Sequence, residues 1–525
     1  MSSTCIPYTA FAAPSALYAD FLSNFASVAR FYDYPPCAAE SYARAAAAID
    51  YPDERRAALV AALEHRNGAS PALAALARPG TVVVTTGQQA GLFSGPAYTI
   101  YKALTAAKLA RRLTENGIPA VAVFWLATED HDFEEVRSCW VFNHEQRPKC
   151  LEVVPESTVP RVVGSIPITG DPAAGIIGAL GDLPFAQEVV ALVSDAYRDG
   201  RPFGDAFAAL LAVLLPGYDL LLLDPLDPAI RALAAPVLAR AVEAAPDLLA
   251  ALARRGGELT AAGYHAQVHV EPDHAPFFLL HGDQRLSLRR GGDVYSSRDA
   301  RYTTGELRDL AARLSPNALL RPVVADYLMP TVATVLGPAE TAYMAQSQVL
   351  YHALLGRTPV MVPRAGFTVL DARAAKLMAR YNLELNDILE GEEALAARIA
   401  AKLVPPALDR SLATAERETE AVLDRLRPGV GAFDATLGAA LEKSRAKILY
   451  QLGKIRRKTA RESARRDQRA AVETAHLANL VYPHRRLQER FYSILPFLAR
   501  HGLDLIGRLY ENVQVDRPDH RILMA

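Results

Sequence analysis

The chain has 525 residues, 51% of them hydrophobic, and a formal net charge of −1. That length accommodates two or three domains with a substantial core, and the near-neutral balance excludes a general pull toward nucleic acid or a membrane surface. The four cysteines, Cys5, Cys37, Cys139 and Cys150, form no CxxC pair, and no basic region followed by an apolar core opens the chain; reduced thiols, a cytoplasmic location and no signal peptide are expected.

Leu17, Phe21, Phe25, Val28 and Phe31 fall on one helical stripe within 15–32. Two alanine-rich helices follow. The β-branched run from Thr81 predicts a buried strand over 81–86. Next comes TGQQAGLFSGPAYTIYK, residues 86–102. Gly87, Gly91 and Gly95 allow close approach to a ligand. Ser94 is a candidate cap and Pro96 suits the first turn of a helix over 96–115. Tyr98 and Lys102 lie on that helix. The segment reads either as an anion site at a helix amino terminus or as an ordinary strand–turn–helix corner. It fits neither the P-loop nor the dinucleotide spacing.

The apolar run 119–127, which contains Trp125, predicts a second buried strand and a right-handed βαβ unit. It leads into Glu129, Asp130, His131 and Asp132, then Glu134 and Glu135. These groups suit orienting an amine, acid–base work or holding Mg²⁺. The plainer reading is a solvated helix start. No second histidine follows at ligand spacing, which argues against zinc.

Residues 145–205 read as an insertion, with a strand-like piece at Arg161–Ile166. A strand follows over 218–224, and Asp227 before Pro228 suits a helix cap. A hairpin-like stretch spans 264–290, where strand alternation places His265, His269 and Gln267 on one face. A polar pocket wall is the favoured reading there, with a metal site as the lesser one. Residues 315–346 supply Asn317, Arg321, Asp326, Glu340 and Tyr343, and Gly337-Pro-Ala-Glu340 repeats the Gly-Pro entry into a helix. From 374 to about 475 the pattern is helical. Near-heptad Leu437, Leu441, Ile448, Leu452 and Ile455 predict a coiled-coil hairpin, 408–428 against 432–475, turning at Pro428–Gly431. Residues 454–469 hold eight Lys or Arg against two acids, a solvated face or a site for phosphate or an acidic partner.

TGQQAGLFSGPAYTIYKALTAAKLA and PAVAVFWLATEDHDFEEV resemble the bacillithiol-synthesis cysteine ligase family, BshC. SPNALLRPVVADYLMPTVATVLGPAETAYMAQ (315–346), PVMVPRAGFTVLD (359–371) and YPHRRLQERFYSILPFLARHG (482–502) continue the likeness. The resemblance implies an α/β fold: a Rossmann-like parallel-sheet core over 1–380, inserted segments at about 145–205 and 285–315, a coiled-coil arm over 381–480, and a segment 481–525 that packs back on the core. It implies amide formation between cysteine and glucosaminyl-malate, with ATP the expected activator and Mg²⁺ a possible companion. The family core resembles the nucleotide-binding half of class I aminoacyl-tRNA synthetases, although no HIGH or KMSKS tetrapeptide is present. A nucleotidyltransferase or synthetase-like enzyme with another acceptor, and a non-catalytic coiled-coil assembly protein, are the rival readings.

The expected catalytic residues are His131, Asp130 and Asp132, with His131 as base because its ordinary pKa of about 6.5 suits proton transfer near neutrality. Expected substrate contacts are Gly87, Gln88, Gln89, Gly91, Gly95, Tyr98, Lys102 and Trp125, together with Glu129, Asn317, Arg321 and Glu340. No resident metal, nucleic acid or membrane is expected. The coiled coil is expected to form a homodimer. Loops 86–96, 128–135 and 224–228 are expected to converge on one cleft at the carboxyl edge of the sheet.

Overall fold

The computed structural model describes residues 4–8, 15–155, 159–298 and 300–525. Two compact units result. One comprises the chain up to Val369 together with Gln488–Ala525, and the other is Leu370–Leu487. The sequence put these boundaries at 380/381 and 480/481.

Five strands build the central sheet of the larger unit: β1 Val82–Gln89, β2 Ala120–Ala127, β3 Leu220–Leu223, β4 Thr331–Leu336 and β5 Val360–Pro363. Their order is β5-β4-β1-β2-β3 and all pairings are parallel. The strands are nearly continuous apolar runs because both faces are covered. Helix α1, Tyr98–Glu115, covers β1 and β2 and buries Ile100, Leu104 and Leu109. The chain winds outward from β1 through β2 to β3, then returns to β4 beside β1. The β1/β4 border is therefore the point where strand order reverses, the usual ligand position of an open α/β sheet.

β1 outruns its expected end. Gly87, Gln88 and Gln89 stay paired with Trp125, Leu126 and Ala127, whereas pairing with β4 stops at Thr85. These three residues thus form an open lip on the β4 side. Gly87 serves close strand packing: a Cβ there would sit 2.8 Å from the Cβ of Trp125. The following turn holds Phe93, Ser94 and Gly95 at φ 53°, 71° and 64°. Ser94 is consequently no cap; Ala97 occupies that position without a side-chain bond.

Several other elements differ from expectation. The stripe at 15–32 breaks at Asn24 into two helices, although Leu17, Phe21, Val28 and Phe31 are all buried. Arg161–Ile166 forms no strand, because the N–H groups of Val163 and Gly164 donate to the carbonyls of Asp130 and Thr128. The segment 264–270 alternates in exposure but joins no ladder, and His265 and His269 are exposed. The hairpin lies just after it, His274–His281 with Gln284–Gly291, inside a five-stranded antiparallel sheet closed by Leu314–Pro316.

Helix α2, Pro338–Leu355, follows β4 in the larger unit, and the smaller unit holds the two longest helices. α3 spans Pro406–Phe433 and α4 spans Ala435–Arg466. The two run antiparallel, tied by Arg427–Glu442 and Arg456–Asp409 ion pairs. The turn lies at Asp434, whose side chain caps Thr436 and Leu437, and not at Pro428–Gly431. Pro428 is carried inside α3.

Candidate functional site

A cavity of about 490 Å³ opens at the β1/β4 border. That volume suits a small polar metabolite pair. The lip Gly87–Gln89 forms one wall, Glu129, Asp130 and Glu135 a second, and Asn317, Arg321 and the start of α2 a third. Arg364 and Arg490 complete it beside Tyr98.

Gln89 organises the acidic wall. Its Nε2 donates to Asp130 Oδ2 at 2.9 Å and to Glu135 Oε2 at 2.8 Å. Arg285 Nη1 lies 3.3 Å from Asp130 Oδ1, and its other nitrogens donate to Ser315 Oγ and the Pro316 carbonyl. Burial alone would raise the Asp130 carboxyl; hydrogen bonds from His131 and Gln89 and the Arg285 charge hold it well below the carboxylate range. Glu129 behaves oppositely. It is buried, so its pKa is raised, with Arg285 opposing. Ser315 Oγ donates to its Oε2 at 2.8 Å, while Oε1 is buried with no hydrogen-bond partner. A carboxyl with a raised pKa on a cavity wall is suited to proton transfer.

Lys102 lies behind this surface, 1% exposed. Its Nζ donates to both Glu340 oxygens at 2.8 and 2.7 Å, and to the Gly87 carbonyl and Gln88 Oε1. Burial lowers its pKa and Glu340 opposes. Lys102 therefore locks the lip to α2. Glu340 also accepts from the Gly337 N–H, closing the first turn of α2. Arg321 Nη2 donates to Tyr343 Oη at 2.8 Å, a neutral partner.

The structure thus gathers Gly87, Gln88, Gln89, Tyr98, Glu129, Asp130, Asn317, Arg321 and Glu340 around one cavity. Six expected residues do not line it: Lys102 lies behind the lip, and five others fall elsewhere. Gly91 and Gly95 line no part of it, since the turn faces inward: Tyr197 Oη donates to the Gly91 carbonyl and accepts from Phe93 N–H, and Ser493 holds the Phe93 carbonyl. Trp125 is buried behind Gly87. His131 sits outside the lining with a 42% exposed side chain, its Nδ1 3.4 Å from Arg285. Asp132 caps the short helix Phe133–Val136 through Glu135 N–H. The loop after β3 also stays out: Asp224 accepts from Thr128 Oγ1 and pairs with Arg66, and Asp227 caps the next helix. Sequence reasoning left Arg285, Arg364 and Arg490 unassigned. Only Arg364 carried a signal, an arginine directly after the apolar run 359–363.

Among the described residues, the three-residue group with metal-ligand spacing is Glu271, Asp273 and His274, and none of these lines the cavity. The cavity's own carboxylates are engaged by Gln89, Ser315, Arg285 and Lys102.

Comparison with known proteins is consistent along the whole chain. The family "Bacillithiol biosynthesis BshC, N-terminal Rossmann-like domain" matches residues 1–365, and the "C-terminal coiled-coil domain" of the same family matches 367–525. A protein of Solibacter usitatus named "Putative cysteine ligase BshC" is 52% identical over 100% of both chains. Proteins of the same name from Koribacter versatilis and Symbiobacterium thermophilum are 34% and 32% identical, covering 100% and 96% of both chains.

Proposed function

The chain belongs to the bacillithiol-biosynthesis BshC family, and from that premise we propose that it is a cysteine ligase joining the carboxyl of cysteine to the amine of glucosaminyl-malate. The observation that carries the reading is the cavity itself, where an acidic wall faces guanidinium groups across a switch-point cleft. A substrate amine suits the acidic wall, and carboxylates suit the arginines.

A C–N bond forms as a carboxyl C–O bond breaks, so the departing oxygen needs a carrier. ATP, if bound, would supply that leaving group, and Mg²⁺ would accompany the nucleotide. Arg321, which lines the cavity and hydrogen-bonds to the neutral phenol of Tyr343, offers positive charge to the departing oxygen. Asp130 and Glu135, fixed by Gln89, orient the amine. Glu129, whose carboxyl is raised by burial on the cavity wall, takes the proton that the amine loses. This moves the base from the rim residue His131 to a group inside the cavity.

We also assign a homodimer to the helical arm. α3 buries no residue fully and α4 buries only Ala460. Phe433 is 84% exposed, and Leu426, Leu437, Tyr450 and Ile455 are exposed too. Such a seam calls for a partner. Among the described residues no helix is long and apolar enough to cross a membrane, which agrees with a cytoplasmic enzyme.

The test is mass spectrometry of purified protein with cysteine and glucosaminyl-malate, with and without ATP. An ATP-dependent amide product, with phosphate or pyrophosphate released in equal amount, is expected. Product without ATP, or nucleotide turnover with no amide, would refute the reading.

A further inference from the structure

Two adjacent residues after the helical arm face opposite ways. Arg490 lines the cavity, its guanidinium 6.0 Å from the Tyr98 ring centre. Glu489 points inward and is 0% exposed. Its Oε1 accepts from Arg364 Nη2 at 2.6 Å, and its Oε2 accepts from Phe367 N–H at 2.9 Å. Arg364 Nη1 donates to the Ala365 carbonyl at 2.9 Å. The guanidinium, 2% exposed, is thus clamped along one edge. It lies 5.2 Å from the Tyr98 ring centre on the cavity wall, and its Nε faces Gly337 at the end of β4. The glycine at 366 belongs to this arrangement: a Cβ there would come within 3.2 Å of Glu489 Oε2.

A buried ion pair is weak evidence for stability, since desolvation offsets much of the attraction. This one has a second use. It commits one N–H of Nη2 to Glu489 and one of Nη1 to Ala365, and so fixes where the remaining N–H groups point. A guanidinium held that way is preorganised for a planar oxyanion. Cysteine carries a single carboxylate, the one that reacts. The acceptor brings two more, and Arg364 and Arg490 give the cavity cations for carboxylates where the Gln89–Asp130–Glu135 wall offers acids that suit an amine.

We infer that Glu489 is a positioning residue that holds Arg364 against a malyl carboxylate of the acceptor, with Arg490 as the second cation of that subsite. The inference rests on the ligase reading above. It makes the segment after the arm part of the acceptor site and not merely a closing strap.

Calorimetric titration of the full-length protein with glucosaminyl-malate and separately with cysteine tests it. Glu489→Gln should weaken glucosaminyl-malate binding by roughly 10–100-fold, the scale of one charge-assisted hydrogen bond, and leave cysteine binding within about twofold. KM for the acceptor should rise while kcat holds. The single change also strands a buried cation, so the double variant Arg364→Gln with Glu489→Gln is the control. It removes both charges and should recover Tm, yet acceptor binding should stay weak. Unchanged acceptor affinity in Glu489→Gln, or affinity that recovers with Tm in the double variant, would overturn the proposal and leave the ligase reading standing. Wild-type protein that binds no glucosaminyl-malate would overturn both.

Discussion

The cavity and the helical arm spend their side chains in opposite ways. In the cavity almost every charged group is held: Gln89 braces Asp130 and Glu135, Lys102 braces Glu340, and Glu489 braces Arg364. In the arm, apolar groups such as Phe433 and Leu437 stand in solvent while Arg427, Arg445 and Arg456 pair across the hairpin. The first pattern is what preorganised chemistry requires, because fixed polar groups need not reorganise during reaction. The second is what association requires, because an unpaired apolar seam gains by being covered. The difference separates a region whose groups are already held in place from one whose exposed seam is open to a partner.

The sharpest break in that contrast is Glu129→Gln. Removing a positioned base costs about 10²–10⁴-fold in turnover, so ligation should fall by that factor with the circular dichroism spectrum unchanged. Near wild-type turnover would return the proton transfer to another group. Lys102→Met comes next. It strands Glu340 and frees the lip, and breaking such a buried pair costs about 3–5 kcal/mol, toward the lower end here because Glu340 is partly exposed. A lowered urea midpoint and weaker binding of both substrates are expected; an unchanged midpoint would mean the lip is held by the strand ladder alone.

For the arm, Phe433→Glu with Leu437→Glu should shift light scattering toward monomer and leave thermal unfolding of the larger unit unmoved. A dimer that persists would place the contact elsewhere. A smaller effect is expected at Asp326, buried on the helix that begins at Arg321 and pushed up to about 7, chiefly by burial and against the Arg357 charge. A folded value above the unfolded one of about 3.9 means that the folded state holds the proton longer. Its stabilising contribution is complete below pH 4 or so and is lost as pH rises through about 7. The Tm of Asp326→Asn should lack this decline, gaining on wild type between pH 4 and 8; parallel profiles would show that Asp326 does not titrate there. The smallest expected change is His131→Ala. A rim residue should alter turnover by less than about tenfold, below the 10²-fold floor for losing a positioned base.

Much of the larger unit was legible because its signals are local. The β-branched run at 82–86 and the continuous apolar run at 120–127 mark strands buried on both faces, and polar residues directly after them belong to the carboxyl edge. Gln89, Glu129 and Asp130 followed from that rule. The rule failed where distant chain decides the outcome. Gly91 and Gly95 looked ligand-ready, but Tyr197 and Ser493 turn that corner into core. Asp132 carries both a cap signal and a site signal, and only its contact with Glu135 N–H separates them. Arg364 and Arg490 reach the cavity from segments more than 100 residues apart, which no periodicity encodes. The turn of the arm was misplaced because Pro428-Gly429 reads as a breaker, whereas the helix carries the proline and stops at the capping Asp434.

The central claim is that the amide forms in the cavity at the β1/β4 border. A crystal structure of the protein with cysteine and glucosaminyl-malate bound tests it most directly. The account predicts both ligands between Gln89 and Arg364, with the sugar amine toward Asp130 and Glu129 and the malyl group toward Arg364 and Arg490. Well-ordered ligand seated anywhere else, with this cavity holding solvent, would contradict it.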